Sequence, residues 1–332
     1  MLALVLGGGN ALGAYHGGVV ETLAAEAVWP EWIAGSSIGA ITAALIAGNK
    51  PERRLAAVRE FWRRAAQMDG PAAWVPDVLR RPIHFTAALQ ARVLGRPLLY
   101  HLRLAELLGG NGRPGLYDRG PMRRALEQLV DFNLLNQGPI RVAMLAVDVE
   151  TGAEVAFDTA HEPLTVDHLM ASSALIPDFP AVEIGGRALV DGGLAANVPA
   201  DLVLAEPARA PLACITLDPY PIAAPRPRRL TDAAQRQTDL TFACQTARTL
   251  RAMRQLWEGR EGPPGAVYSV HYTFSEDEIA LKSYDFAQST LDRRWACGRA
   301  DMARALRLWR EQPPAGAGLR IHSVQPAERE PA

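Results

Sequence analysis

Residues 32–45 read WIAGSSIGAITAAL. Ile33 and Ala34 are too few apolar residues for a helix and suit a brief buried strand. Gly35–Gly39 turns the chain, and the small-residue run Ala40–Ala47 predicts a mostly buried helix. Between the two lies Gly35-Ser36-Ser37-Ile38-Gly39, a G-x-S-x-G pattern at a strand-to-helix turn. In such a turn the central serine, Ser37, stands exposed. Gly35 and Gly39 supply no side chains to crowd it, and the dipole of the following helix favours negative charge beside it. A five-residue run with four Gly and Ser also describes a plain turn. The flanking strand and helix favour the nucleophilic reading, and the spacing selects Ser37 over its neighbour Ser36.

The same order occurs once more upstream. Ala3–Leu6 is a short apolar run, Gly7-Gly8-Gly9 breaks it, and a helical pattern runs from Leu12 to Glu26 with Val19, Val20 and Leu23 on one face. The glycine loop first suggests a nucleotide. A dinucleotide fingerprint G-x-G-x-x-G counted from Gly7 ends on Leu12, so it fails, and the Gly-Lys-Ser/Thr of a phosphate loop is absent. The backbone chemistry survives that failure. Glycines let N–H groups approach a ligand closely, and a helix N-terminus behind them suits a developing oxyanion as well as a phosphate. Gly7, Gly8 and Gly9 are therefore candidate oxyanion-hole donors. Strand–helix–strand–helix predicts an α/β fold, a sheet with helices on both faces.

The remaining composition is permissive. The chain has 332 residues, 48% hydrophobic, with a formal net charge of -1. That suits a sizeable core and gives no reason to expect nucleic-acid binding. No stretch is long and apolar enough to cross a bilayer, and MLALVLGGGN lacks the pattern of a signal peptide. Cys214, Cys244 and Cys297 form no pair motif. The expectation is a cytoplasmic protein without cofactor or metal, its contact with a membrane at most transient and peripheral.

Further along, PERRLAAVREFWRR from Pro51 reads as an amphipathic helix. Residues 70–118 are irregular, and either cover a site or form a packed insertion. PMRRALEQLVDF restores a helix. IRVAMLAVDVETG and EVAFDT suggest paired strands, and TVDHLMASSALI suggests a helix ended by Pro177. ALVDGG and PLACITLDPYP read as strands. The Pro- and Arg-rich stretch 205–230 marks a boundary, so 1–205 is read as the catalytic unit and 206–332 as an extension packed on it. Within 206–332, residues 231–260 and 288–310 look helical, VYSVHYTF looks like a strand, and the last twenty residues look frayed. Arg226–Arg229 is either a solvated loop or a contact for anionic lipid.

A serine hydroxyl needs a base. The seven histidines are scattered, and none sits in a recognisable triad loop. His161 and His168 read as surface or core residues, and His16 reads as a packing histidine on the helix after the glycine loop. The carboxylate of Asp191, in ALVDGGLAANVP, can take the serine proton directly. Burial would raise its pKa and strengthen it as a base, and Gly192 and Gly193 would let its turn approach Ser37. A turn-forming aspartate is the alternative. Asn197 would fix the backbone after that turn.

GGGNALGAYHGG, GSSIGA, MASSALIPDFPAV and VDGGLAANVP, in that order, resemble the bacterial patatin-like phospholipase family over about residues 1–205. The resemblance implies a three-layer α/β/α fold with a mostly parallel central sheet. It also implies hydrolysis of lipid acyl esters by a Ser–Asp dyad without histidine or metal. Carried over, Ser37 is the nucleophile, Asp191 the base and the Gly7–Gly9 amides the oxyanion hole, with Ser172, Ala174 and Pro177 in a wall near the site. This chain departs from the family in having Leu12 where many members have Arg or Lys, and Asn10 where glycine is frequent. IALKSYDFAQSTLDRRWACGRADMARAL is similar to an extension of one branch. Its Phe286, Leu291 and Trp295 either pack on the main domain or line an acyl channel.

Overall fold

The computed structural model describes residues 1–68, 77–96, 99–103, 114–272, 278–279 and 281–324. The chain opens with β1 (Leu2–Leu6), α1 (Ala14–Ala25), β2 (Trp32–Gly35), α2 (Ile38–Ala47) and α3 (Pro51–Ala65). Next come α4 (Asp77–Leu94), β3 (Gly95–Arg96), β4 (Tyr100–Leu102) and β5 (Tyr117–Asp118), then α5 (Gly120–Leu129) and α6 (Phe132–Gln137). The second half holds β6 (Arg141–Asp148), β7 (Glu154–Asp158), α7 (Val166–Ser172), β8 (Val182–Ile184), β9 (Arg187–Asp191) and α8 (Asp201–Leu204). It closes with β10 (Leu212–Asp218), α9 (Leu230–Trp257), β11 (Gly265–His271), α10 (Gln288–Glu311) and β12 (Leu319–Val324).

One sheet organises the molecule, in the order β12-β11-β10-β1-β2-β6-β9-β8, with β7 also on β6. The strands from β12 to β6 run parallel, and β7, β8 and β9 pair antiparallel. β1 lies at the centre, pairing Leu4 with Ile33 on one side and Ile215 on the other. Its five residues are all apolar because both faces are covered. Leu4 and Leu6 face a core shared with Val19, Ile41 and Met302 of α1, α2 and α10. Ala3 and Val5 face a second core with Leu204, Leu250 and Trp257 of α8 and α9. Helices on both faces make the three-layer α/β/α architecture. Among the described residues no helix is long and apolar enough to cross a membrane.

Several sequence expectations shift. The last twenty residues do not simply fray: Leu319–Val324 is a parallel edge strand on β11. Its signal is faint because only Leu319 and Val324 are buried, as befits an edge. α7 ends at Ser172 rather than at Pro177, because the carbonyls that would continue it are engaged elsewhere. The boundary expected at 205/206 separates no sheets, since β10, β11 and β12 extend the one that β1 begins. In 70–118, the described part is α4 and a small antiparallel sheet, β3-β4-β5. Residues 104–113 of this stretch lie outside the described residues.

The glycines of the first turn are required by packing. A Cβ on Gly39 would lie 2.1 Å from the Leu6 carbonyl oxygen, and one on Gly35 would lie 2.6 Å from the Gly39 carbonyl carbon. Backbone cannot yield as a flexible side chain can. Gly39→Ala is therefore expected to destabilise the protein by roughly 3 kcal/mol or more, read as a lower urea midpoint.

Candidate active site

The site gathers at the carboxyl ends of the central parallel strands, where open α/β sheets bind ligands. β1 delivers the glycine loop and β2 delivers Ser37. Ser37 caps α2 with φ 56° and ψ -126°, a left-handed conformation rare outside glycine. The turn thus holds its side chain out from both elements, and Ser37 lines a cavity of about 350 Å³. Ser36 points the other way. Its buried hydroxyl donates to the Ala196 carbonyl at 2.8 Å.

Asp191, at the end of β9, lines the same cavity. Its carboxylate is buried and accepts the Gly193 N–H at 2.7 Å. Desolvation pushes its pKa up to about 6, opposed by a hydrogen bond from the Ser37 side chain, the Gly193 N–H and the charge of Arg119. Gly192 is needed because its Cβ would meet the Leu145 carbonyl oxygen at 2.2 Å. Gly193 supplies the N–H.

Segment 172–174 sets the separation of the two residues. Ser37 N–H donates to the Ser172 carbonyl at 3.0 Å, and Asp191 N–H donates to the Ala174 carbonyl at 3.0 Å. One short piece of backbone after α7 thereby grips both turns, although they are 154 positions apart in the chain (191 − 37).

The glycine loop differs from expectation in one respect. Gly7 N–H donates to the Leu217 carbonyl at 3.0 Å and Gly8 N–H to the Asn197 carbonyl at 3.2 Å. Two of the three amides expected to face an oxyanion are engaged instead: that of Gly7 continues the β1–β10 ladder, and that of Gly8 anchors the loop to Asn197. The Gly9 N–H has no partner among the described residues, and Gly9 and Asn10 line the cavity. Asn197 holds Gly8 from both sides, because its Nδ2 also donates to the Gly8 carbonyl at 3.4 Å.

The family model described as patatin-like phospholipase matches residues 4–204. The chain belongs to the patatin-like phospholipase family. No curated protein matches it in sequence. Among solved structures it is similar to VipD from Legionella pneumophila, at 13% identity and a TM-score of 0.42, over 92% of this chain and 66% of that one. The type III effector protein ExoU matches at 14% and 0.36, over 92% and 52%. ExoU of Pseudomonas aeruginosa bound to SpcU matches at 15% and 0.30, over 89% and 53%. The chain thus spans just under two thirds of VipD and about half of ExoU.

The cavity of this patatin-like chain is walled by apolar side chains, among them Ile38, Phe61, Trp62, Met122, Phe179 and Phe242. Phe286 also lines it, so one of the three aromatic and aliphatic residues singled out in the last third faces the cavity. The other two pack: Leu291 is in the core, and Trp295 lies against α1, where a Cβ on Gly18 would come within 1.8 Å of its carbonyl oxygen. Of the wall residues implied by resemblance, Ser172 and Ala174 make the backbone contacts described above.

His16 is fully buried with neither ring nitrogen bonded, and burial pushes its pKa down to about 3. It does not line the cavity. His161 is exposed, and His168 accepts the Thr165 N–H in a capping box. Among the described residues no cluster of His, Cys, Asp and Glu could hold a metal.

One residue near the site went unnoticed in the sequence. Arg119 is buried, stacks over Phe179 at 4.7 Å, and donates to the Ser173 carbonyl at 2.9 Å, Ser173 Oγ at 3.0 Å and the Met170 carbonyl at 2.8 Å. It clamps the segment that sets the Ser37–Asp191 separation. Burial lowers its pKa to about 9, which leaves it cationic at neutral pH. Nothing in DRGPM marks it, because its role depends on an approach more than fifty residues distant in sequence.

Proposed function

We propose that the protein is a serine acyl-ester hydrolase of lipids, with Ser37 as nucleophile and Asp191 as base. The observation that carries this reading is the meeting of a left-handed serine turn and a buried, pKa-raised aspartate in one apolar cavity. In the proposed cycle Asp191 takes the Ser37 proton as Oγ bonds to the acyl carbonyl carbon. The carbonyl oxygen becomes negative and is received by the Gly9 N–H and by the Ile38 N–H at the start of α2. The tetrahedral intermediate collapses, the leaving alcohol takes the proton from Asp191, and an acyl-serine remains. Water, deprotonated by Asp191, then attacks the acyl-serine carbonyl, and Ser37 Oγ leaves with the proton returned from Asp191 as the fatty acid is released.

The apolar wall supports an acyl chain as the bound group, and the family supports a phospholipid or lysophospholipid. The test is a panel of p-nitrophenyl esters, phospholipids, acyl thioesters and hydroxyacid oligomers. Turnover of the lipid esters above the others supports the reading. Preference for thioesters or polyesters replaces the substrate class, and binding without turnover of any ester overturns the enzyme reading.

The base must be ionised to act, so kcat/KM is expected to rise with pH through about 6. Arg119 lowers the Asp191 pKa through its charge. Arg119→Gln is therefore expected to move that limb to higher pH and, by loosening the 172–174 segment, to lower kcat/KM roughly tenfold. A pH–rate profile of the two proteins measures both effects.

A further inference from the structure

α4 covers one side of the cavity: its Arg92 lines the cavity, as does Leu99 just beyond the helix. Its outer face is apolar. Phe85 (37% exposed), Leu89 (44%) and Val93 (52%) recur every four residues and form one stripe, extended by Leu94 (63%). None of the four lines the cavity. Arg96 donates to the carbonyls of Ala65 and Ala66, which holds the segment bearing Met68 (89% exposed) at the same end of the helix. Buried apolar side chains are the norm in a helix packed over a cavity, and a contiguous exposed stripe marks an interaction surface.

The opposite wall comes from α9, whose Gln235, Thr238 and Phe242 line the cavity. The Lys282–Tyr284 turn joins the two walls. Tyr284 bonds to Arg92 of α4, and Lys282 pairs with Asp239 of α9. The stretch leading into α9 exposes Ile222, Arg226, Arg228, Arg229 and Leu230 (87%), and Arg236 pins its start through the carbonyls of Pro221 and Ile222. No acidic residue occurs from 219 to 231. The cavity is thus flanked by an apolar helix face on one side and by exposed arginines with an exposed leucine on the other.

We propose that these two flanks form a docking surface for an anionic phospholipid bilayer, which seats the apolar stripe in the interface while the arginines meet lipid phosphates. An amphipathic helix binds such an interface in its plane, with basic residues adding affinity. The charge, the apolar stripe and the lipid-compatible cavity between the flanks all fit this occupant. The inference rests on the acyl-hydrolase reading only for what the bilayer would supply to the cavity.

The test uses full-length protein carrying Ser37→Ala, so that no lipid is consumed. It measures cosedimentation with vesicles of phosphatidylcholine alone and of equimolar phosphatidylcholine and phosphatidylglycerol. Binding is expected to the anionic vesicles, weakening with salt. Arg226→Gln with Arg228→Gln should lower affinity on the order of 30-fold. Leu89→Asp, alone or with Phe85→Asp and Val93→Asp, should lower it about tenfold or more. The same substitutions in the Ser37 protein should leave turnover of water-soluble p-nitrophenyl butyrate unchanged, which shows that they fold. Equal binding to both vesicle types, or variants that bind like the parent, overturns the proposal. So does a dimer in sedimentation that Leu89→Asp dissociates, since the stripe then serves a second copy. Failure to hydrolyse any soluble ester, with vesicle binding as expected, would instead remove the hydrolase reading and leave the docking surface standing.

Discussion

Asp191→Asn is expected to lose ester hydrolysis on the order of 10⁴-fold and yet to be more stable than the wild type at pH 8. Both effects have one cause. Asp191 is buried, and its folded pKa of about 6 stands above the ordinary value near 3.8. Between these values the unfolded chain gives up its proton while the folded chain retains it. Folding stability therefore falls as pH rises from about 4 to about 6 and stays reduced above that. The gap corresponds to roughly 3 kcal/mol at pH 8. Asparagine keeps an oxygen for the Gly193 N–H but carries no charge to desolvate. Thermal unfolding at pH 8 should show the variant higher, and unfolding near pH 4 should show the two nearly level. Equal melting at both pH values would mean that the carboxylate is not strained by burial, and the proposed base would lose its physical basis.

Ser37→Ala is expected to abolish acyl transfer by about 10⁵-fold with little change in fold. The serine Oγ donates one hydrogen bond, to the Asp191 carboxylate, and its loss leaves the backbone of the turn in place. Alanine keeps the same backbone, and the Ser37 N–H still donates to the Ser172 carbonyl. Circular dichroism should match the wild type and the urea midpoint should fall by no more than a lost hydrogen bond costs, about 1 kcal/mol, while turnover of every ester disappears. Ser36→Ala is the informative contrast. It removes a buried hydrogen bond to Ala196 and is expected to lower stability by about 1 kcal/mol while retaining activity. The opposite pattern, an active Ser37→Ala, would remove the nucleophile from the account.

Local chemistry was legible in the sequence wherever one residue type was forced by its neighbours. The run Ala3–Leu6 reads as a doubly buried strand because parallel strands carry no polar face. Gly35 and Gly39 stand out because backbone atoms occupy the space that a Cβ would need. The order strand–glycine loop–helix, twice repeated, was enough for the α/β class. Ser37, Asp191, Gly8, Gly9 and Gly193 line one cavity, whereas Gly35, Gly39 and Gly192 pack against backbone beside it.

What stayed hidden depended on approach across the sheet. The Gly7 and Gly8 amides looked available because only the fold brings Leu217 and Asn197 to them. Arg119 carried no signal because Ser173 and Met170 are remote in sequence. β12 was hidden because an exposed edge strand has few buried residues to give it a pattern. The helix after Thr165 looked longer than it is because the Ser172 carbonyl at its end and the Ala174 carbonyl just beyond serve Ser37 and Asp191 rather than a further helical turn.

The central claim is that Ser37 is an activated hydroxyl, and covalent labelling tests it most directly. The intact protein is treated with a fluorophosphonate and the modified residue is located by peptide mass spectrometry. The account predicts one label per chain, on Ser37, gained more slowly below pH 6 and strongly suppressed in Asp191→Asn. A label on Ser36 or elsewhere, or folded wild-type protein that takes up none, would contradict it.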